Sequence, residues 1–152
     1  MKTLEALMQE LENQIPNFEQ SNTTISTASV GWHIAHSYLA IERMCITVSQ
    51  SDPAHFKKPP FRFLKMVVML TGRIPRGRGK APDTVVPKET VTIQIIQERV
   101  AAAKSALQQI ATAHENGWMN HPIFGILNKK EALRFMQIHT HHHLSIIKDI
   151  IK

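Results

Sequence analysis

The sequence predicts an all-α protein, an antiparallel four-helix bundle. Three observations carry this. Apolar residues recur at helical spacing along several long segments, and no segment shows the strict alternation of a strand. Aromatic content is only 6%, with Met and Ile taking up much of the apolar volume, which suits helices better than a sheet sandwich. The 152 residues are 43% hydrophobic, the size and composition of one domain with its own core, so residues 1–152 are expected to form a single domain.

The first helix is expected from Leu4 to Ile15, where Leu4, Leu7, Met8, Leu11 and Ile15 share one face and Pro16 marks the end. The Ser- and Thr-rich stretch from Ser21 to Ser29 supplies N-caps for a second helix from about Ser29 to Val48. Apolar residues surround much of that helix, as in one buried on more than one side. Ser51-Asp52-Pro53 stops it. Phe61 to Leu70 reads as a short apolar-basic helix closed by Gly72. Gly72 to Pro87, dense in Gly and Pro, is expected to be a long loop. A third long helix runs from Lys88 to about His114 and ends at Glu115-Asn116-Gly117. Trp118 to Leu127 reads as a loop holding the string HPIFG. Asn128 with Glu131 three residues on has the form of a capping box opening the last helix.

One cysteine, Cys45, excludes an internal disulfide, and its place on the second helix suggests a buried, inert thiol. The N-terminus lacks the apolar core of a signal peptide, and no apolar run approaches the roughly 20 residues that span a bilayer. A cytoplasmic protein without membrane contact is the expectation. The net charge of +6 is local. Lys57, Lys58, Arg62, Lys65, Arg73, Arg76, Arg78 and Lys80 lie in a stretch with no acid, while the rest of the chain has a slight acid excess. No recognition helix, zinc finger or aromatic interleaving accompanies these cations, so nucleic acid is not the expected partner. The loop from Arg73 to Lys80 is long enough to fold over a site and clamp an anionic substrate through Arg76 and Arg78.

Nine histidines are the strongest chemical signal. His55, His114 and His121 fall in or beside expected loops. On the last helix, His139 and His143 lie about 40° apart at 100° per residue, in the middle of the face formed by Phe135, Met136, Ile138, Ile146, Ile147 and Ile150. His142 sits at the edge of that face and His141 points away. A single inward histidine is ordinarily a hydrogen-bonded core residue. Two of them one turn apart would each need a separate buried partner, whereas one metal ion satisfies both. The second helix offers His33 or His36 as a third ligand, and spacing does not choose between them. There is no HExxH, Ser-His-Asp set, phosphate loop or dinucleotide fingerprint. Tyr38 and Trp32 read as core residues, and Glu42 as a surface or inter-helix charge.

The string SVGWHIAHSYLAIE, Ser29 to Glu42, resembles the second-helix motif of the DinB/YfiT-like superfamily. HPIFGILNKKEALRFMQIHTHHHLSII, His121 to Ile147, resembles a branch of it with an HP-x-FG loop and an H-x-x-H-H run. The resemblance implies an up-down-down-up four-helix bundle. It also implies one divalent transition metal, zinc or nickel, on His36, His139 and His143. Ile146 stands where the family usually has a Gln, so a supporting role for that Gln does not carry over. Some members of the superfamily resemble thiol-dependent transferases or isomerases, which would make a low-molecular-weight thiol or a small anionic substrate the partner. Three functions are therefore carried forward. They are a metal-dependent transferase or hydrolase with an open coordination position, a non-catalytic metal-binding or stress-related protein, and a basic nucleic-acid-associated module. The broadly apolar helices also allow a homodimer.

Overall fold

The computed structural model describes residues 2–77 and 82–152. Its helices are α1 (Leu4–Glu12), α2 (Val30–Gln50), α3 (Phe63–Thr71), α4 (Ile93–Thr112) and α5 (Lys129–Ile151). Two short strands, β1 (Trp118–His121) and β2 (Gly125–Asn128), pair antiparallel between α4 and α5. The all-α expectation holds for most of the chain, but this is not a plain four-helix bundle. A fifth, short helix and a hairpin are added to it.

α2 is the centre. Val30, Ile34, Tyr38, Ile41, Cys45 and Val48 are buried along it, and it packs against both α4 and α5. α1 lays Leu4, Leu7, Met8 and Leu11 into the same core and lies on α5. α5 contributes Phe135, Met136, Ile138, Leu144 and Ile147. A fully buried side chain of this kind stabilises by about 1.5–3 kcal/mol relative to exposure, so this apolar seam fixes how α2 and α5 sit. The Tyr38 hydroxyl donates to Met8 O at 2.9 Å, and burial raises the pKa of that hydroxyl. Cys45 is buried and its thiol is pushed up to about 12 by burial, as suits a packing residue.

The caps explain the boundaries. Ser29 Oγ accepts from Trp32 N and starts α2. Asn128 and Glu131 form a reciprocal capping box at α5, as the spacing predicts. Gly72, at φ 65°, closes α3 in the left-handed conformation. Two expected ends move inward. α1 stops at Glu12 and passes into a 3-10 turn, Ile15–Asn17, that contains Pro16. α4 begins at Ile93 because Thr92 caps Ile95 N, five residues after the expected start at Lys88.

The stretch expected to be a loop from Trp118 to Leu127 is the hairpin. Trp118 pairs with Asn128 and His121 with Gly125, leaving Pro122, Ile123 and Phe124 as a three-residue turn. Gly125 takes φ 68°, a left-handed conformation that glycine adopts without steric cost as the chain leaves the turn. A Cβ there would also stand 2.9 Å from Arg62 Nε. No helix among the described residues is long and apolar enough to cross a membrane.

Candidate metal centre

Four imidazoles meet in the seam between α2 and α5. His33 and His36 are buried on α2, and His143 is buried on α5. His139 is half-buried, with its Nδ1 atom fully enclosed. The helices bury mostly apolar side chains here and, among the described residues, no charged group, so these rings are held where charge is disfavoured. Burial lowers the pKa of His36, drives those of His139 and His143 well below the ordinary value, and takes His33 down to about 4. All four are neutral at neutral pH. A neutral imidazole is the form that offers a lone pair to a metal.

The hydrogen bonds select which nitrogen offers it. His36 Nδ1–H donates to Val85 O at 2.6 Å, because a carbonyl only accepts. Its lone pair is therefore on Nε2. His36 Nε2 lies 3.3 Å from His139 Nε2, and His143 Nε2 lies 3.2 Å from the same atom. The ligand atoms of all three residues fall within 4.8 Å of one another. Nitrogens bound at about 2.0–2.1 Å to a tetrahedral ion stand about 3.3–3.4 Å apart, which matches both measured edges. One proton on His139 could bridge only one of these pairs, leaving other lone pairs facing each other in a buried site. A cation satisfies all three, so this donor set fits a divalent metal.

His33 takes the outer position. Its Nδ1 is 2.9 Å from His143 Nδ1, and its Nε2 is 3.0 Å from Ser26 Oγ. When His143 Nδ1–H donates to His33 Nδ1, His33 Nε2–H donates to Ser26, and His143 Nε2 is left free to ligate. Spacing left His33 and His36 open. The structure puts His36 beside His139 and His143, with His33 behind His143. His139 Nδ1 is buried with no hydrogen-bond partner among the described residues. Its ring is positioned by packing instead, with Phe135 at 5.8 Å and His143 at 4.5 Å between ring centroids.

The cluster opens on one side into a cavity of about 440 Å³, within the usual size of a small-molecule site. Trp32, expected as a core residue, lines it and stacks on His36 at 4.8 Å and 12°. The segment after α3 walls part of it through Ile74, Pro75, Pro82 and Val85. Arg76 does not reach in as a clamp. Its guanidinium donates to Ser145 Oγ and pairs with Asp149 at 2.8 Å, tying the segment to α5. Arg78 and Lys80, expected in the same loop, lie outside the described residues. The described cation that lines the cavity is Arg43, exposed on α2, whose guanidinium has no partner among the described residues.

Two histidines join the cavity that the sequence did not assign to it. His142, at the edge of the helix face, lines it, with burial lowering its pKa to about 4. His121, set aside as a loop residue, also lines it, and burial takes it to about 4. His121 Nδ1 accepts from both Ile123 N and Phe124 N at 3.2 Å, so the ring closes the hairpin turn much as an Asp or Asn side chain would. The neutral ring then carries its proton on Nε2. His121 stacks on Phe124 at 4.6 Å and meets Phe135 edge-on at 4.7 Å, which carries it to the neighbourhood of His139. The signal for this in the sequence was the Pro-x-x-Gly turn after His121, read as a loop rather than as a hairpin. His141 is exposed, as the helical wheel predicts. His55 pairs with Asp52 on the surface, and Glu42 is 3.8 Å from Arg99.

A largely helical fold with three histidines converging at the floor of an open cavity defines a protein equipped to hold a metal ion. The chain belongs to the family described as protein of unknown function DUF1569, whose model matches residues 5–149. No curated protein and no solved structure matches the chain.

Proposed function

We propose that this chain is a metal-dependent enzyme of the DinB/YfiT-like kind, a thiol-dependent transferase or isomerase or else a hydrolase. The observation that carries the reading is the convergence of His36, His139 and His143 through Nε2 at one end of a cavity of about 440 Å³. A structural ion needs no such opening, whereas a catalytic one keeps a position for substrate or water. A zinc or nickel ion held there would supply Lewis-acid chemistry, lowering the pKa of a thiol or a water at neutral pH.

The chain's own residues divide the remaining work. His36 is oriented by Val85 O and His143 by His33, so the site is pre-shaped before anything binds. Trp32, Phe124 and Phe135 give the cavity apolar walls that restrict water. His121, whose Nε2–H has no hydrogen-bond partner among the described residues, donates to an oxygen of the substrate. Arg43 at the mouth takes the anionic group of a small substrate or thiol, the role first expected of the Arg73–Lys80 loop.

Cobalt-substituted protein titrated with low-molecular-weight thiols tests the reading. A sulfur-to-cobalt charge-transfer band that saturates with thiol, and is weakened in Arg43→Gln, is the expected result. A spectrum unmoved by every thiol, together with no hydrolysis of ester or amide substrates, would assign the ion a structural role.

A further inference from the structure

α3 is inverted relative to the other helices. Only Val68 on it is buried, with Met69 packed against the core. Lys65 turns inward to Glu131 at 2.7 Å and donates to Ile126 O. The opposite face carries Phe63, Met66 and Leu70 at i, i+3 and i+7, an exposed helical stripe, with Val67 half-buried beside it. Phe63 is 68% exposed and Leu70 75%, and Phe61 just before the helix is 76% exposed. Ile123 on the hairpin turn, 44% exposed, is joined to this region by Arg62, which donates to Ile123 O. Scattered exposed apolar residues are ordinary, but a contiguous ridge of large ones marks a docking surface.

The charges around the ridge say what docks. Lys57, Lys58, Arg62 and Arg73 are exposed, and none pairs with an acid among the described residues. No acid occurs between Asp52 and Asp83. Two copies of this face brought together would set uncompensated cations against cations. A nucleic-acid backbone would meet the cations but leave Phe63 and Leu70 in water or against phosphate. An apolar stripe flanked by unpaired cations on a short helix matches one environment, the boundary between anionic headgroups and acyl chains.

We propose that the outer face of α3 seats this protein on anionic membrane surfaces. Phe61, Phe63, Met66 and Leu70 enter the interface, and Lys57, Lys58, Arg62 and Arg73 lie among the headgroups. The contact is peripheral and reversible, and it is independent of the metal reading. It departs from the sequence-based expectation of a chain without membrane contact, which considered only spanning segments and leaders.

Sedimentation with vesicles tests it, using phosphatidylcholine alone and phosphatidylcholine mixed with phosphatidylglycerol. The proteins are the full chain, Phe63→Gln/Leu70→Gln and Arg62→Gln/Arg73→Gln. All four positions are exposed, and circular dichroism checks that the fold is kept. The full chain should bind the anionic vesicles, more weakly as salt rises, and both variants should lose about tenfold or more in affinity. No binding of the full chain to anionic vesicles would overturn the proposal. So would unchanged vesicle binding by Phe63→Gln/Leu70→Gln, which would make the attraction a matter of charge alone. Light scattering on the same samples supplies the remaining contrary result, a stable dimer that Phe63→Gln/Leu70→Gln dissociates, which would show the face covered by a second copy.

Discussion

Two regions of this molecule break the ordinary partition of side chains in opposite directions. In the seam between α2 and α5, the rings of His33, His36, His139 and His143 are taken out of water amid Ile34, Met136 and Ile147. On α3, Phe63 and Leu70 are left in water beside exposed cations that pair with no acid among the described residues. Buried polar groups must find partners, and here all but His139 Nδ1 find them in one another, in Val85 O and in Ser26, while the three converging Nε2 atoms form a donor set that fits a metal ion. Exposed apolar groups gain nothing from the fold until something covers them. The contrast is one of needs: the first region has a donor set that fits a cation, and the second has an apolar face that gains from being covered.

The sharpest way to separate the two is to remove apolar bulk from each. Ile147 is fully buried beneath the seam, and Ile147→Ala should cost about 2–5 kcal/mol in urea unfolding, with loss of metal affinity as the helices relax. Acidification acts next. In chelator-treated protein, His33, His121 and His142 have folded-state pKa values near 4, against an ordinary 6.5. Between these values the unfolded chain binds more protons than the folded one, so unfolding is favoured as pH falls. Stability should be full above pH 6.5 and decline progressively toward about pH 4, read from urea midpoints across that range. A flat profile would mean that these rings are not desolvated.

Smaller effects test the frame that holds the seam. Asn128→Ala removes half of the capping box that sets the start of α5, and should cost about 1 kcal/mol by thermal unfolding. Leu70→Ser should be nearly silent in the same measurement, within about 0.5 kcal/mol, because its side chain is 75% exposed. A large loss there would mean that α3 packs against something in the folded monomer, and the comparison between the two regions would fail.

The parts legible in the sequence are those set by one strong periodicity or one local rule. α5 has a clear apolar stripe, so the inward position of His139 and His143 and the outward one of His141 follow from the helical wheel. The caps at Ser29, Gly72 and Asn128 depend on neighbours in the chain and could be read directly. α2 is apolar nearly all round, so no wheel could place His36 rather than His33 in the group with His139 and His143. That choice is made by packing and by Val85 O, 49 residues away in sequence. The hairpin escaped because four-residue strands give too little alternation to register. With the hairpin went the role of His121, which depends on turn geometry. α4 starts later than expected because the Thr92 side chain accepts from Ile95 N and caps the helix at Ile93. Arg76 was legible as a cation near the site, but its commitment to Asp149 is a tertiary fact.

The central claim is that His36, His139 and His143 hold one metal ion. Metal content by mass spectrometry on untagged, metal-replete protein tests it directly, beside His36→Ala and His139→Ala/His143→Ala variants checked by circular dichroism. The account predicts about one equivalent of zinc or nickel in the native chain, a sharp fall in His36→Ala and essentially none in the double variant. A folded native protein that binds no metal, or variants that keep the full equivalent, would contradict it and return the four rings to the role of packing and hydrogen bonding alone.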